Sequence, residues 1–481
     1  MRNRILTSTV FVCGCLSGET GGSAPDGGLP LGGAPAPGSP SAAPPSVAPS
    51  EPPPPPPNRL LPEDLKFEGL FRVPTGPLAE GENASLAYGG AAFASRVVDG
   101  QRRFFFTGHR DANDPLVELA APDGLGQTLE SAPTATVVRY WGDIYGGRKV
   151  THDEPDPTKP NFNWTEGLLW DESAQRLFFS YGNWYAAARL NNPVLGAVSL
   201  GADGSVQTQG PWRTTAEPQQ TRSFAVFLTP TLSAATGGAE LGLGGKMQSI
   251  NASASWGPVL HAIDAPAPDR PAAPPLDVGT GTWADESLLD ARTLAHHPIE
   301  PLEHRTPRPA DYDVARNPDG TVDSAGTQPP QGDVGFWTEL DEAAGAVFVQ
   351  AGGGTRGALV YAGGEAYGFM WYGPDLEHEV MDGRGYDGTG NHAERYRTML
   401  WFVDEADLVA AAEGRLEPHA VHPYARVELA TQFPELGFTA GWAAGQPVFA
   451  PDEGRLYVPF PKGARQGRDP YPVVAVFRVK D

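Results

Sequence analysis

The sequence predicts an all-β protein, a β-propeller of about five blades with long inter-blade loops and one inserted helix. Three observations carry this. Glycine (59) and proline (50) are abundant and charged residues make up only 19 % of the 481, which suits short strands joined by many turns. Apolar runs rich in Leu, Phe, Trp and Tyr recur in pairs around a polar break. The resulting unit of strand, acidic turn, strand, glycine-rich turn and strand returns along the chain. One such small sheet cannot hide both faces, whereas radial repetition packs each sheet on the next. A β-sandwich or jelly roll with insertions is the competing arrangement.

The chain opens on MRNRILTSTVFVCGCLSG, with a basic tip (Arg2, Arg4) and an apolar stretch from Ile5 to Val12 that is too short to span a bilayer. This fits an export signal over residues 1–17. Cys15, with Gly14 before it and Val12 three residues before it, resembles a bacterial lipobox. Lipidation at Cys15 would then anchor the protein to the cell envelope, and Leu16 in place of aspartate favours the outer membrane. An ordinary cleaved signal is the alternative. Both cysteines lie in this leader, so the remainder has neither a disulfide nor a thiol nucleophile. Residues 18–65, with APAPGSPSAAPPSVAPSEPPPPPP, cannot bury enough surface to fold and read as a disordered tether. The propeller domain is expected over 66–481.

The first hairpin is GGAAFASRVVDGQRRFFFTGH from Gly89, turning at Asp99-Gly100. The second is GLLWDESAQRLFFSYGNWY from Gly167, turning at DESAQ. A diverged third unit runs from SFAVFLTP through KMQSINA to WGPVLHAI. The fourth is GFWTELDEAAGAVFVQAGG from Gly335, with DEAAG as its turn, and the fifth is GQPVFAPDEGRLYVPFPKG from Gly445, with PDEG as its turn. Asp and Glu in these breaks are expected only to shape turns. DEADLVAAAEGR reads as the one helix, with Asp404 as N-cap, Asp407 three residues on and Gly414 as the stop.

Several phrases in combination, FEGLFRVP, AYGGAAF, RFFFTGH, RLFFSYGNWY, GPWR, SWGPVLHAI, HAERYRTMLWFVDEADL and VVAVFRV, resemble a family of exported bacterial proteins with a propeller-like body and no established activity. The resemblance implies export and fold, and adds almost nothing about chemistry.

Chemistry in such a ring is expected at the axis or on the loops of one face. TGHRDAND offers His109, Arg110, Asp111, Asn113 and Asp114; WGDIYGGRK offers Trp141, Asp143, Tyr145 and Arg148. SYGNWY offers Tyr181, Asn183, Trp184 and Tyr185, and FMWYGPD offers Trp371, Tyr372 and Asp375. GNHAERYR offers His392, Glu394, Arg395 and Arg397. Rings beside Asp, Asn and Arg suit a sugar, although the same rings serve as blade packing. A glycoside-cleaving arrangement would draw on His109, Asp143, Glu166, Arg395 and Arg397. DANDP and DGRGYDGTGN hint at calcium without matching EF-hand spacing, so no metal or other cofactor is assigned. PHAVHP (His419, His422) has a ligand-like spacing that Pro423 interrupts, and HHPIEPLEH (His296 to His304) reads as a flexible loop. G-x-S-x-G, P-loop and HExxH signatures are missing from the sequence, and a formal charge of −23 argues against nucleic acid. The expected function is an envelope propeller that binds a glycan, a cell-wall component or a partner protein; the alternative is a polysaccharide hydrolase or lyase.

Overall fold

The computed structural model describes residues 58–80, 84–108, 114–146, 164–182, 193–216, 220–245, 255, 257–272, 288–297, 337, 341–373, 390–436, 443–466 and 469–480, with backbone alone at 164, 367–373 and 390–395. The leader with Cys15 and residues 18–57 of the expected tether lie outside these residues; residues 58–65, also expected in the tether, belong to the folded body, with Leu60 buried and Leu65 opening the first strand.

The chain first lays down β1 (Leu65–Arg72) and then builds blade I from β2 (Phe93–Val98), β3 (Gln101–Thr107), β4 (Leu116–Ala120) and β5 (Thr136–Gly142). Blade II is β6 (Trp164–Asp171), β7 (Arg176–Gly182), β8 (Leu195–Leu200) and β9 (Val206–Thr214). Blade III begins with β10 (Phe224–Phe227), β11 (Leu241–Gly245) and β12 (Val259–Ile263). The chain then returns to blade II, where β13 (Leu288–Leu289) pairs parallel with β9, before β14 (Ala291–Ala295) completes blade III. Blade IV is β15 (Glu342–Ala351), β16 (Arg356–Gly373), β17 (Gly390–Val403) and β18 (Pro423–Glu428). Blade V is β19 (Val448–Ala450), β20 (Arg455–Gln466) and β21 (Asp469–Val479), with β1 as its outer strand, so the two ends of the domain close the ring together. The inner strands touch in sequence, β2 to β6 to β10 to β15 to β19 and back to β2. This is the five-bladed propeller that the repeats predicted, and the sandwich arrangement is ruled out.

Runs such as FFF in β3 now have a reason. Alternate side chains of a strand face opposite ways, and both faces of a blade are covered by neighbours. Phe104 and Phe106 pack toward blade V, against Tyr457 and Val474, while Phe105 packs toward blade II, against Trp170. Phe178 faces blade III, whereas Leu177 and Phe179 face blade I. The core is thus a set of seams between blades. A strand buried on both faces reads as continuous apolar sequence rather than alternation.

Two hairpins differ from the sequence reading. DEAAG is not a turn: Glu342 begins β15, and the side chain of Asp341 accepts a hydrogen bond from Ala366 N at 2.9 Å. The actual turn is at Gly352–Gly354, so AVFVQA lies within the first strand of blade IV. In blade III the second strand is LGLGG (β11), and KMQSINA lies outside the described residues. A short helix, α1 (Pro230–Ala235), separates β10 from β11, capped by Thr229 Oγ1 on Leu232 N. The expected helix is α2 (Glu405–Ala412): Asp404 caps Ala406 N at 2.9 Å, and Gly414 follows its end at φ 71°.

The acidic turns also divide. In DESAQ, Asp171 Oδ1 accepts from Ser173 N and Oγ and from Ala174 N, as a turn-shaping acid should. In PDEG, Asp452 and Glu453 reach across the closing seam to Arg102 of blade I, at 2.5 and 2.6 Å, so these acids also join the ends of the ring.

Candidate functional site

The starts of the inner strands gather at one end of the axis. Two of these strands carry a bulge there. Thr165 pairs with Tyr181 and Gly167 with Ser180, leaving Glu166 as the extra residue of β6; in β15 the extra residue is Ala344, ahead of Gly345. The glycine after each bulge is required by a close approach. A Cβ on Gly167 would stand 2.5 Å from Phe224 Cα, and one on Gly345 would stand 2.1 Å from Gln446 Cα. The bulge and its glycine are therefore features of the fold, whereas the carboxylate is not: the matching position in blade IV is alanine. A bulge re-aims the side chain it carries, and in blade II that side chain is Glu166.

Glu166 is partly exposed and its Oε2 lies 3.6 Å from Nε of Arg222, which is 2 % exposed. Arg222 is wedged beside Gly182, where a Cβ would fall 2.2 Å from its Cδ. Burial lowers the pKa of this guanidinium, and the charges of Glu166 and Glu342 push it back up. A buried cation thus sits between two acids contributed by blades II and IV. Ser180, Tyr181 and Ser223 are buried in the same end of the ring.

Immediately below, the axis is closed by Gln446. Its Oε1 accepts from Leu168 N at 2.8 Å, and its Nε2 donates to Leu168 O and Ala225 O, each at 2.8 Å. Its backbone N donates to Ala91 O at 2.9 Å. One residue from blade V thereby joins blades I, II and III while lying against Gly345 of blade IV. Gln446 is 3 % exposed, so the mouth has a floor.

The predicted residues fall in different places. Asp143 is exposed and accepts from Tyr145 N at 2.8 Å, as the cap of a turn beyond β5. Tyr145 is fully buried, with its hydroxyl donating to Asp114 at 2.9 Å and close to Thr165. Burial and the Asp114 charge drive its pKa well up. Trp141 is 5 % exposed and donates to Glu118 at 3.2 Å, and Tyr181 is 2 % exposed. These three rings pack in the seam between blades I and II. Trp371 and His392 stand opposite one another across the β16–β17 hairpin, as do Tyr372 and Asn391, and Arg395 pairs in register with Tyr367. Arg397 is half-buried and opposite Glu365. His109, Arg110, Asp111, Trp184 and Tyr185 lie outside the described residues, together with both calcium-like loops apart from Asp114, Pro115, Gly390 and Asn391. Among the described candidates, Glu166 is the one beside Arg222 at the start of an inner strand.

Arg222 and Gln446 were missed. Their signal was faint: an arginine in the polar run QQTRSF, and a glutamine just before a strand. Sequence reasoning also left the histidines scattered. The structure gathers His261, His296, His297, His419 and His422 between blades III and IV. Among the described residues no group of three or more such side chains is disposed to hold a metal.

A cleft of about 1010 Å³ opens at the opposite end, between blades V and I. Four of its charged residues are paired there: Glu68 holds Arg455, and also Arg478, while Glu453 holds Arg102 and Tyr457.

Fold and site together define a five-bladed propeller with a plugged axis and a charged mouth at one end. No family model matches the chain, and no curated protein does. Among solved structures it is similar to a protein described as a putative glycoside hydrolase from Bacteroides ovatus, with 12 % identity over 82 % of this chain and 89 % of the other and a TM-score of 0.36. It is also similar to the hemagglutinin-neuraminidase ectodomain of parainfluenza virus 5, with 6 % identity over 87 % of each chain and a TM-score of 0.33. A third is a luciferin-regenerating enzyme, with 10 % identity, 79 % and 77 % coverage and a TM-score of 0.25. At this level of similarity the fold reading rests on the sheet order and ring contacts of this chain, and the activities of those proteins are not transferred to it.

Proposed function

We propose that the protein is an exported, lipid-anchored propeller of the cell envelope that binds a polyhydroxylated ligand, a glycan or glycan-bearing wall component, at its axial mouth. One observation carries the binding site: Glu166 is aimed by a bulge and backed by a buried arginine at a position where the repeat itself needs only alanine. A carboxylate can accept hydrogen bonds from neighbouring hydroxyls, and the buried Arg222 guanidinium lies 3.6 Å behind this one as its counter-charge. The acidity of the chain disfavours nucleic acid as the ligand.

The anchoring rests on the leader sequence and on Cys15. Replacing Cys15 with alanine is expected to move the protein from the membrane fraction to the soluble fraction. Retention in the membrane fraction would remove the lipid anchor from this reading.

For the mouth, the domain is passed over immobilised envelope glycans and wall fragments, alongside the Glu166→Gln variant. Retention of the wild type and loss in the variant supports the reading. The enzyme alternative keeps one supporting observation, the two acids around Arg222. It predicts release of shortened sugars from those same fragments, and binding with no product over long incubation would remove it.

A further inference from the structure

Five of the ten histidines in the sequence meet between blades III and IV. Three side chains there form a continuous relay. His261 Nε2 lies 3.1 Å from Gln220 Oε1, and its Nδ1 lies 3.1 Å from Thr293 Oγ1. Gln220 Nε2 lies 3.2 Å from His296 Nε2. His261 and Gln220 are 3 % and 6 % exposed, while His296 is only half-buried.

The chemistry of the groups sets the direction of every bond. An amide oxygen only accepts and an amide nitrogen only donates. His261 therefore carries its hydrogen on Nε2 and donates to Gln220, and its Nδ1 accepts from the Thr293 hydroxyl. His296 accepts from Gln220 at Nε2, so its own hydrogen is on Nδ1. A proton arriving at His296 Nε2 would place a donor against a donor. One rearrangement restores these three contacts. The Gln220 amide turns over, its oxygen accepts from His296, and its nitrogen donates to His261 Nε2. His261 then carries its hydrogen on Nδ1 and donates to Thr293, whose hydroxyl can accept as well as donate.

We propose that His296, Gln220 and His261 are a proton-operated switch in the seam between blades III and IV, with His296 as the input and a tautomer change at buried His261 as the output. The net change is one proton taken from solvent by His296. His261 stays neutral, losing a hydrogen at Nε2 and gaining one at Nδ1 by exchange. The titratable groups around the relay are His297, next in the chain, and His419 and His422, from the segment where Pro418 O accepts from His296 N. Arg222 lies two residues beyond Gln220. Arg292 flanks Thr293 on β14 and donates away from the relay, to Ala412 O. The surrounding imidazoles disfavour charge on one another, so the buried end of the relay answers acid by changing tautomer rather than by charging. The switch belongs to the seam and does not depend on what the axial mouth binds.

The test is imidazole ¹⁵N spectroscopy of the whole protein from pH 8 to pH 5. The expected result is protonation of His296 with a simultaneous change of His261 from the Nε2–H to the Nδ1–H tautomer, His261 remaining neutral. Gln220→Met should break the link, so that His296 titrates while His261 keeps one tautomer. Should that variant fail to fold, Thr293→Val, which removes the partner of the acid-side tautomer, should hold His261 in the Nε2–H form at pH 5. His261 keeping its Nε2 hydrogen throughout in the wild type, or becoming charged together with His296, would overturn the switch.

Discussion

The amide of Gln446 pairs with both backbone groups of Leu168, donating to its oxygen and accepting from its nitrogen across 278 residues of sequence. The same side chain donates to Ala225 O, so a single glutamine satisfies three buried backbone groups on two other blades. Truncation would leave all three without that partner inside the ring. Each unsatisfied buried group costs about 1–3 kcal/mol, so Gln446→Ala should lose about 3–5 kcal/mol, allowing for partial rescue by water. Chemical denaturation midpoints would show it, and a loss below about 1 kcal/mol would mean that water replaces the amide fully.

Gly345 lies against the same residue. A methyl group there would collide with Gln446 Cα, which is backbone and cannot swing aside. Gly345→Ala should therefore destabilise by about 2–3 kcal/mol or more, and Gly167→Ala by a similar amount through Phe224. At Gly124, where a Cβ would meet nothing, the same change should be near neutral. The contrast between the sites, read by thermal melting, checks the close approach directly.

The seam between blades I and II turns on Arg96. Its guanidinium makes two bonds of 2.8 Å to Glu118, whose side chain is fully buried, and its Cζ lies 4.7 Å from the centre of the Trp170 ring. Arg103 is a more distant second partner at 3.5 Å. Removing the main partner of a buried carboxylate typically costs about 3–5 kcal/mol. Arg96→Ala should fall near the lower end of that range, because Arg103 and Trp141 remain, and Arg96→Lys should recover only part, since it lacks the two-pronged geometry. Equal stability of the two variants would contradict the geometric reading.

Acid should weaken the fold through buried histidines. Burial, with a contribution from His296, lowers the pKa of His261 to about 3, and burial lowers that of His297 well below the usual value. The unfolded chain therefore binds protons near pH 6.5 that the folded chain refuses. Stability from these groups is complete above that pH and is lost as the pH falls toward the folded values. The slope should approach about 1.4 kcal/mol per pH unit for each imidazole. Melting temperatures between pH 7 and pH 4 would reveal it, and His261→Gln should flatten the curve. An unchanged slope in that variant would assign the acid sensitivity elsewhere.

Legibility in the sequence followed the range of the interactions. Asp99-Gly100, DESAQ and the capped helix after Asp404 were readable because turn and cap chemistry is decided within a few residues. DEAAG was misread for the same reason: it has a turn's composition, and only pairing of Glu342 with Gly364 makes it strand. β11 hid because LGLGG looks like a loop, although its glycines lie against Phe224 and Val226. Arg222 and Gln446 were illegible, since their partners lie dozens to hundreds of residues away. Glu166 was found among several acids, and what distinguishes it, an extra residue in a bulge, is visible only when the strands are paired.

The most direct measurement of the proposed site is equilibrium binding of envelope glycan fragments to the wild type, to Glu166→Gln and to Glu130→Gln, a control at an exposed loop acid. The axial mouth predicts a loss of at least tenfold in the first variant and none in the second, which corresponds to about 1.4 kcal/mol or more. Undiminished binding by Glu166→Gln, with its fold intact, would contradict a site at the mouth of the ring.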